Sequence, residues 1–398
     1  GFDMGGTSTD ISLIYRGEPR MTTEATVGGY PVRLPVLDVH TIGAGGGSVA
    51  WLDSGGGLQV GPKSAGADPG PVAYNCGGEE PTVTDANLVL GRLNPERFLG
   101  GEMRLDLDAA LAAIREKIAI PLELDPIVAA AGIVRIANAN MERALKVSSA
   151  ERGYDPREFT LVAFGGAGPV HAAALAKEVG FPWVLVPEAP GVFSALGLLV
   201  ADIRHDFAKT YMMRADQVAP SALASLYAEL EALGSDALRE DGIEPERWVL
   251  QRAADLRYVG QAYEVNVPVP DSLLDAAAVS EVVRRFHAEH QRLYAHSASG
   301  DPVEFVSLRL AALGPVLPPA LRKQPTRGSA SPKGCRRVFF EEANGFVDCS
   351  IYERASLGPG AILEGPAIAE QMDSTTVVHP GQVASVDEWG NLVIGAGG

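Results

Sequence analysis

The sequence has no long hydrophobic run, and it carries far fewer basic than acidic residues. No stretch approaches the ~18 uncharged apolar residues of a membrane-spanning helix, so no membrane contact is expected. Lysine and arginine number 33 against 50 for aspartate and glutamate, which gives a formal net charge of −17. That charge repels polyanions at long range and disfavours nucleic acid as a partner. A nucleotide remains compatible, because backbone amides and a divalent metal hold phosphates locally.

Cysteine is also scarce. The three cysteines, Cys76, Cys335 and Cys349, are too few and too scattered for a disulfide framework, and none has a partner at metal-site spacing. The first residues resemble neither a secretory signal nor a transit peptide. We therefore expect a cytoplasmic protein with reduced thiols. Because the chain begins with glycine, inside a strand and a tight turn, we also expect it to be part of a longer protein.

Glycine, by contrast, is abundant: 45 of 398 residues, or about 11% against the usual ~7%. These glycines cluster at 43–48, 54–57 and 164–169, where the backbone must turn sharply or approach another group closely. The apolar run 159–164 predicts a buried strand. It is followed by a diglycine turn, a helix that ends at Gly180 and another strand. This order indicates an α/β protein with a mainly parallel sheet.

The pattern of strands, helices and turn residues predicts four parts. They are an α/β core at 1–205, an α+β domain at 206–314, a linker at 315–336 and a small β module at 337–398. Within the first part, helices are predicted around 84–93, 108–118 and 126–151.

The opening stretch GFDMGGTSTD combines an acid, two glycines, three hydroxyl side chains and a second acid. A strand that delivers Asp3 into a turn at Gly5 and Gly6 leaves consecutive amides pointing into one concavity, which is an anion nest. Asp3 and Asp10 cannot bind phosphate directly, but near a triphosphate a carboxylate can hold Mg²⁺ or orient a nucleophile. The alternative is a tight β-hairpin whose Asp and Thr side chains satisfy the turn amides.

A second glycine turn lies in LVAFGGAGPVHAAALA, residues 161–176. A buried strand, a diglycine turn and a helix start together offer a flat backbone surface for a nucleoside. Alternatively, these glycines only let the helix pack against the strand. The spacing differs from G-x-G-x-x-G, and no strand ending in an acid follows about 20 residues later, so a dehydrogenase is disfavoured.

Together, these motifs resemble a known family. The order DMGGTSTD, a long helix with ERALKVSSAERG, then LVAFGGAGP is similar to the second half of an actin-like (ribonuclease H-like) ATPase core. Almost the whole chain resembles the ATP-binding subunit of the hydantoinase/5-oxoprolinase family, which includes subunits of acetone and acetophenone carboxylases. Further matching blocks are DVHTIGAGGGSVAWLD, VGPKSAGADPGPVAY, PTVTDANLVLGRL and GPAIAEQMDSTTVVHPG.

The resemblance implies an actin-like core whose first half, with a related phosphate loop, is absent from this chain. It implies ATP and Mg²⁺ as cofactors of a ring-opening amidohydrolase component. Such a component phosphorylates a lactam or imide oxygen or, in the carboxylase branch, the enolate oxygen of a ketone. The expected partners are a small cyclic amide or imide, a hydantoinase B-like companion subunit or fused domain, and further copies in an oligomer.

The resemblance also implies roles for individual residues. It places Asp3 near Mg²⁺, Asp10 as a further polar anchor, Gly5, Gly6, Thr7 and Thr9 around the phosphates, and Gly165, Gly166 and Gly168 beside adenosine. Glu142, Lys146 and Arg152 are candidates for charged contacts with the nucleoside; the alternative is a solvated helix face.

The glycine-rich blocks contain further acids and a histidine. Asp38 and His40 are candidate catalytic residues, with loop capping as the alternative; as metal ligands, the two would not complete a site. Capping is the favoured role for Asp68 and Asp85, and packing or capping for His171.

Two other functions compete with the enzyme. The chain could be a binding or assembly module without turnover, since one phosphate loop alone gains only ~0.3 to 1 kcal/mol from a helix or nest end. A sugar or polyol kinase would share the actin-like core, but the blocks GAGGGS and GADPGPVAY have no place in that pattern.

Overall fold

The computed structural model describes residues 1–22, 25–27, 30–32, 36–270, 275–317, 320, 322–325 and 331–396. The chain forms two compact units. Unit 1 joins Gly1–Leu196 to Ala320–Gly398, and unit 2 is the intervening segment Gly197–Pro319. Among the described residues, none of the helices combines the length and apolar character needed to cross a bilayer.

Among the described residues up to 200, the strands and α-helices are eleven short strands, three helices, and then two strands that alternate with two helices. The first strands are β1 (Phe2–Met4), β2 (Thr9–Ser12), β3 (Ile14–Tyr15), β4 (Glu18–Pro19), β5 (Met21–Thr22), β6 (Ala25–Val27), β7 (Tyr30–Val32), β8 (Val36–Leu37), β9 (Val39–Ile42), β10 (Ser48–Leu52) and β11 (Leu58–Ser64). They are followed by α1 (Val83–Val89), α2 (Leu107–Ile114), α3 (Pro126–Ser148), β12 (Thr160–Phe164), α4 (Gly168–Val179), β13 (Trp183–Val186) and α5 (Phe193–Val200).

The later elements form the body of unit 2 and the last part of unit 1. In unit 2 they are β14 (Ile203–Arg214), α6 (Pro220–Glu240), β15 (Val249–Tyr258), β16 (Val265–Pro268), α7 (Ala276–Tyr294) and β17 (Val303–Gly314). The last strands are β18 (Gly334–Phe340), β19 (Gly345–Glu353), β20 (Ile362–Glu364), β21 (Ala367–Glu370), β22 (Thr375–Val378), β23 (Val383–Val386) and β24 (Leu392–Gly395).

The main sheet of unit 1 has eight strands in the order β20-β23-β24-β13-β12-β1-β2-β9. Only its centre is parallel, where β12 pairs with β1 on one side and with β13 on the other. The remaining neighbours pair in antiparallel fashion. The prediction of a mainly parallel sheet is therefore corrected to a mixed sheet, because hairpins extend both edges of the parallel centre.

Local sequence explains the central elements. Phe2 and Met4 alternate with Asp3 along β1 and are fully buried, as expected for a strand with one face in the core. Helix α3 begins after Asp125, whose Oδ1 accepts the Ile127 amide at 2.8 Å. Helix α4 ends at Gly180, whose φ of 96° is a left-handed C-cap that favours glycine.

The C-terminal strands do not form the separate β module predicted at 337–398. Strand β24 pairs with β13 in antiparallel register from Trp183 opposite Gly395 to Val186 opposite Leu392. Strands β18, β19, β21 and β22 form a second sheet, and its buried residues belong to the same core as Phe2 and Val184. The reason is physical: without β24, the apolar strand β13 would have an unpaired edge.

Unit 2 is an α+β structure with its own core. Its antiparallel sheet has the order β14-β17-β15-β16, and Tyr227 of α6 and Phe286 of α7 are fully buried together with Phe305 of β17. The unit spans 197–319, whereas the sequence predicted 206–314. Of the predicted linker, the described residues from 334 onward already belong to β18.

Candidate functional site

The two predicted glycine turns lie side by side in unit 1. Asp3 in β1 is in register with Phe164, the last residue of the parallel strand β12. Because the carboxyl ends of adjacent parallel strands meet at one edge, the turns that follow them adjoin. The Ala167 amide donates to the Met4 carbonyl at 2.9 Å. Gly165 has a φ of 77°, and a Cβ there would collide with the Asp3 carboxylate and the Met4 carbonyl.

The turn after β1 presents free amides. The Gly5 amide donates to the Ser8 carbonyl at 3.1 Å and closes the turn. The amides of Gly6 and Thr7 have no acceptor among the residues that the structure describes, and Thr7 is exposed. This is the geometry of an anion nest. The loop 43–48 supports the turn from behind.

Close backbone contacts explain the glycines of that supporting loop. The Gly46 amide donates to the Gly5 carbonyl at 3.0 Å, and the Gly47 amide donates to the Gly6 carbonyl at 2.6 Å. A Cβ on Gly45 would lie 2.6 Å from Gly6. The structure thus assigns the GAGGGS block a positioning role behind the first turn.

Thr9 does not face the turn as a phosphate ligand, which corrects the role implied for it. The residue is fully buried, and its hydroxyl donates to the Ala44 carbonyl at 2.6 Å. Thr9 therefore holds the 43–48 loop against β2. Its place opposite Met4 in the β1–β2 hairpin puts its side chain on the core face.

Asp3 and Asp10 form an acidic row across the sheet. They are directly opposite each other in the β1–β2 pair, and Asp10 is opposite Thr41 of β9, so the three side chains share one face. The Ser194 hydroxyl donates to Asp3 Oδ2 at 2.6 Å, and the Thr41 hydroxyl donates to Asp10 Oδ1 at 2.5 Å. Carboxylates beside an anion nest fit Mg²⁺, which in nucleotide sites takes one or two carboxylates together with phosphates and water. The described residues contain no cluster of three or more histidines, cysteines and acids that could hold a metal unaided.

Asp38 and His40 lie apart from that row. His40 is opposite Ile11, one position along from the pair formed by Asp10 and Thr41, so it faces the other side of the sheet. The Asp38 carboxylate pairs with Arg20 at 3.0 Å and also with Arg152. The structure therefore does not bring these two candidates together with Asp3.

The charged candidates on and after α3, which are Glu142, Lys146 and Arg152, form ion pairs with other residues of this chain. Lys146 Nζ pairs with Glu142 at 2.6 Å one helical turn away, and both side chains are partly exposed. Arg152 is the ion-pair partner of Asp38. These contacts match the alternative of a solvated helix face for Glu142 and Lys146, and a loop-anchoring role for Arg152.

A cavity of about 210 Å³ opens beside the two turns. Its walls come from both turns, from α1 and the segment after it, from the start of α4, and from the loop between β21 and β22. The residues that line it include Gly5, Gly6, Gly46, Tyr74, Thr84, Asn87, Asn94, Arg97, Phe98, Gly166, Ala167, His171 and the segment 370–375. Of the predicted site residues, it brings together Gly5, Gly6 and Gly166.

His171 is a buried neutral residue in the wall of this cavity. Burial, assisted by the nearby charges of Arg92 and His379, lowers its pKa to about 3. Its Nδ1 lies 2.7 Å from Asn138 Oδ1 and its Nε2 lies 3.2 Å from Asn87 Nδ2. Both ring nitrogens are thus occupied, as expected for a packing histidine.

Asp85 is a capping residue, as the sequence favoured. Its carboxylate accepts the Thr82 amide and the Thr82 hydroxyl at 2.8 and 2.7 Å, and the Ala73 amide at 2.7 Å. Burial raises its pKa, although these donors act in the opposite direction. The residue ties the start of α1 to the loop before it. Asp68 is exposed in that loop.

Sequence reasoning missed the wall formed by residues 370–375 and by Asn87. The segment 370–375 lies within GPAIAEQMDSTTVVHPG, one of the blocks that carry the family resemblance. That resemblance was the one sign in the sequence that the segment has a functional role. Nothing local marks these residues as neighbours of Gly5, because more than 360 residues separate them along the chain. Asn87 lies in α1, whose residues are all buried, and is itself 3% exposed, which is the signal that points to a buried polar role.

The fold and the site define a mixed α/β protein with two glycine turns, an acidic row and a small cavity at one sheet edge. The chain belongs to the hydantoinase/oxoprolinase family. The family profile "Hydantoinase/oxoprolinase" matches residues 1–207, and "Hydantoinase/oxoprolinase C-terminal domain" matches residues 212–393. These matches confirm the resemblance read from the sequence.

Comparison with individual proteins gives the same family. The caprolactamase subunit alpha of Pseudomonas jessenii is 38% identical over 391 residues, which cover 97% of this chain and 56% of that protein. The crystal structure of the ATP-dependent caprolactamase from the same organism superposes with a TM-score of 0.88, covering 100% of this chain and 58% of that one at 38% identity. The nucleotide-free structure of acetone carboxylase gives a TM-score of 0.80 at 30% identity, covering 99% and 57%. The chain therefore spans a little over half the length of these relatives.

Proposed function

We propose that this chain is the Mg·ATP-handling part of an ATP-dependent enzyme that phosphorylates the carbonyl oxygen of a cyclic amide or imide. One observation carries the proposal: the anion nest at Gly6 and Thr7, the acidic row and a ligand-sized cavity adjoin at one sheet edge. The names of the relatives, an ATP-dependent caprolactamase and an acetone carboxylase of ATP-dependent mechanism, support it. The enolate oxygen of a ketone is the second candidate acceptor.

In this proposal the triphosphate lies along the Gly5–Gly6 turn and adenosine lies over the turn at 165–168, in an actin-like core. The amides of Gly6 and Thr7 bind phosphate oxygens, and Asp3 with Asp10 would hold Mg²⁺ directly or through water. Mg²⁺, when bound, neutralises charge on the transferring phosphoryl group. With ATP bound, the acceptor oxygen would attack the γ-phosphorus as the bond to ADP breaks, and the amide would release its N–H proton to solvent. A hydantoinase B-like companion would complete the hydrolysis.

Positioning explains most of the rate in such a reaction. The Ser194 hydroxyl fixes one carboxylate oxygen of Asp3, and Gly165 lets that carboxylate lie directly against the second turn. The 43–48 loop holds the first turn rigid from the other side. Because Gly5 and Gly6 also line the cavity, these contacts would fix the phosphates at its wall, next to the acceptor.

The test is Asp3→Asn in the intact protein with its companion. We expect Mg·ATP-dependent turnover to be lost, while the melting temperature stays within about 2 °C because the amide keeps the bond from Ser194. The matched control is Asp348→Asn, whose side chain is 80% exposed on β19 and which should keep full turnover. Wild-type turnover in the Asp3 variant would remove Asp3 from the mechanism. Calorimetric titration of the wild type with Mg·ATP that showed no binding would contradict the proposal itself.

A further inference from the structure

The structure assigns two specificity-determining residues to the cavity beside the turns. We propose that Asn87 donates to the carbonyl oxygen of the acceptor and that Gln371 accepts its N–H, so that the pair selects a cyclic amide over a ketone. Both side chains line the same cavity. The inference rests on the proposed function only in taking this cavity as the place where the acceptor binds.

A buried chain of hydrogen bonds fixes the orientation of the Asn87 amide. Arg92 is buried and can only donate, and its Nη1 bonds to Asn87 Oδ1 at 3.2 Å. The Asn87 Nδ2 group must therefore face His171, whose neutral Nε2 accepts at 3.2 Å. His171 Nδ1–H then donates to Asn138 Oδ1 at 2.7 Å. An amide group has two N–H bonds and His171 takes one; the second has no acceptor among the described residues, and we assign it to the ligand.

The orientation of Gln371 follows from its partners in the same way. Its Nε2 donates to Asp373 Oδ1 at 2.6 Å and to the Glu188 carbonyl at 3.3 Å, and both partners can only accept. The Oε1 atom must therefore point away from them. It is buried, and it has no hydrogen-bond partner among the described residues. A buried acceptor without a partner is costly, and a ligand N–H would relieve that cost.

A donor and an acceptor in one small cavity match the edge of a lactam. In a small ring the amide is held cis, so its C=O and N–H point to the same side. A ketone of equal size can accept from Asn87 but leaves Gln371 unpaired. The cavity, at about 210 Å³, is below the 300–1,000 Å³ typical for drug-sized ligands. Its size therefore suits a single ring.

Three probes of similar ring size separate these contacts: 2-pyrrolidone, N-methyl-2-pyrrolidone and cyclopentanone. Their dissociation constants for the intact protein are measured by ligand-observed NMR without nucleotide. We expect 2-pyrrolidone to bind at least about tenfold more tightly than the other two, since a site with an unpaired polar group rejects a ligand that cannot pair it. Equal affinity for the three probes would overturn the inference.

Substitutions at Gln371 and Asn87 test which residue causes the preference for 2-pyrrolidone. Gln371→Met keeps the volume but removes the acceptor, so 2-pyrrolidone should fall to the affinity of the other two probes, which stay unchanged. Asn87→Asp keeps the bond from Arg92 but offers no N–H, so all three probes should weaken; Asn87→Ser serves if that variant does not fold. The control is Gln291→Met on the exposed face of α7. A Gln371→Met protein that still prefers the lactam would contradict the role of Gln371.

The outcome is separable from the proposed function. Because no nucleotide is present, lactam preference without ATP-dependent turnover would leave the inference standing and reject the enzyme. Conversely, Mg·ATP binding with turnover of cyclopentanone in place of the lactam would keep the phosphoryl-transfer function and reject the selectivity argued for Gln371.

Discussion

Gly165 lies in the second turn of the site, directly against Asp3 and Met4 of the first strand. Its φ of 77° is strained for any L side chain, and a Cβ would also collide with Asp3 and Met4. We expect Gly165→Ala to lose Mg·ATP binding and to lower the free energy of unfolding by about 2–5 kcal/mol, since backbone strain and overpacking add. Gly153→Ala is the matched control: its φ is 81° and its Cβ would meet nothing within 4 Å. It should cost about 1–2 kcal/mol and leave binding intact, and equal losses in the two variants would argue against the collision.

His171 makes stability depend on pH in a defined window. Its folded pKa of about 3 lies below the ordinary 6.5, so between these values the unfolded chain binds the proton and the folded chain does not. Stability from this residue is therefore complete above pH 6.5 and is lost as the pH falls toward 3. We expect the free-energy advantage of the wild type over His171→Gln to shrink by about 2 kcal/mol between pH 6.5 and 5. Urea unfolding at several pH values measures this, and parallel curves for the two proteins would contradict it.

The start of α1 shows how one capping residue can hold an element and a loop together. Asp85 accepts from Thr82 within the capping box and from Ala73 in the preceding segment, and it is fully buried. We expect Asp85→Ala to cost about 3 kcal/mol or more, because several buried donors lose their acceptor. The comparison is Asp106→Ala. Asp106 is the N-cap of α2, and its carboxylate accepts the Ala109 amide at 2.9 Å. Its replacement should cost about 1 kcal/mol. Chemical denaturation measures both, and equal costs would mean that Asp85 acts as an ordinary cap.

Elements were predictable where local chemistry determines them. Asp125 with Pro126 indicates the start of α3, and Gly180 indicates the end of α4, since caps and left-handed glycines act within a few residues. The adjacency of the turns after β1 and β12 was implied by the family resemblance, which assigned both turns to one nucleotide site. The antiparallel edge at β24 did not, because a short apolar strand carries no mark of its partner. For the same reason the wall at Gln371 was missed.

At the scale of the whole molecule, unit 1 is discontinuous and unit 2 is not. The last part of the chain supplies β20, β23 and β24 to the main sheet, and Leu392 and Ile394 of β24 are fully buried. Unit 2 has a core of its own, built around Tyr227, Phe286 and Phe305. Because 1–196 and 320–398 share one core, we expect 1–196 to depend on 320–398 for its stability. Because 197–319 has a separate core, we expect it to fold without the other two segments.

Truncation tests this dependence. A chain ending at residue 319 leaves β13 without an antiparallel partner and uncovers the apolar face that β24 and its neighbours bury, so we expect it to aggregate or to bind a hydrophobic dye. The segment 197–319 alone should be soluble and unfold cooperatively, as judged by circular dichroism and thermal melting. The 197–319 segment is the control for the 1–319 chain: both end at residue 319, so the new chain end is the same in the two proteins. A 1–319 chain that melted cooperatively near the intact temperature would show that the C-terminal strands are dispensable, and a disordered 197–319 segment would show that the unit 2 core is insufficient. Either result would contradict this division of the molecule. If both expected results are obtained, the glycine turn at the start of the chain depends on the strands at its end for a folded sheet.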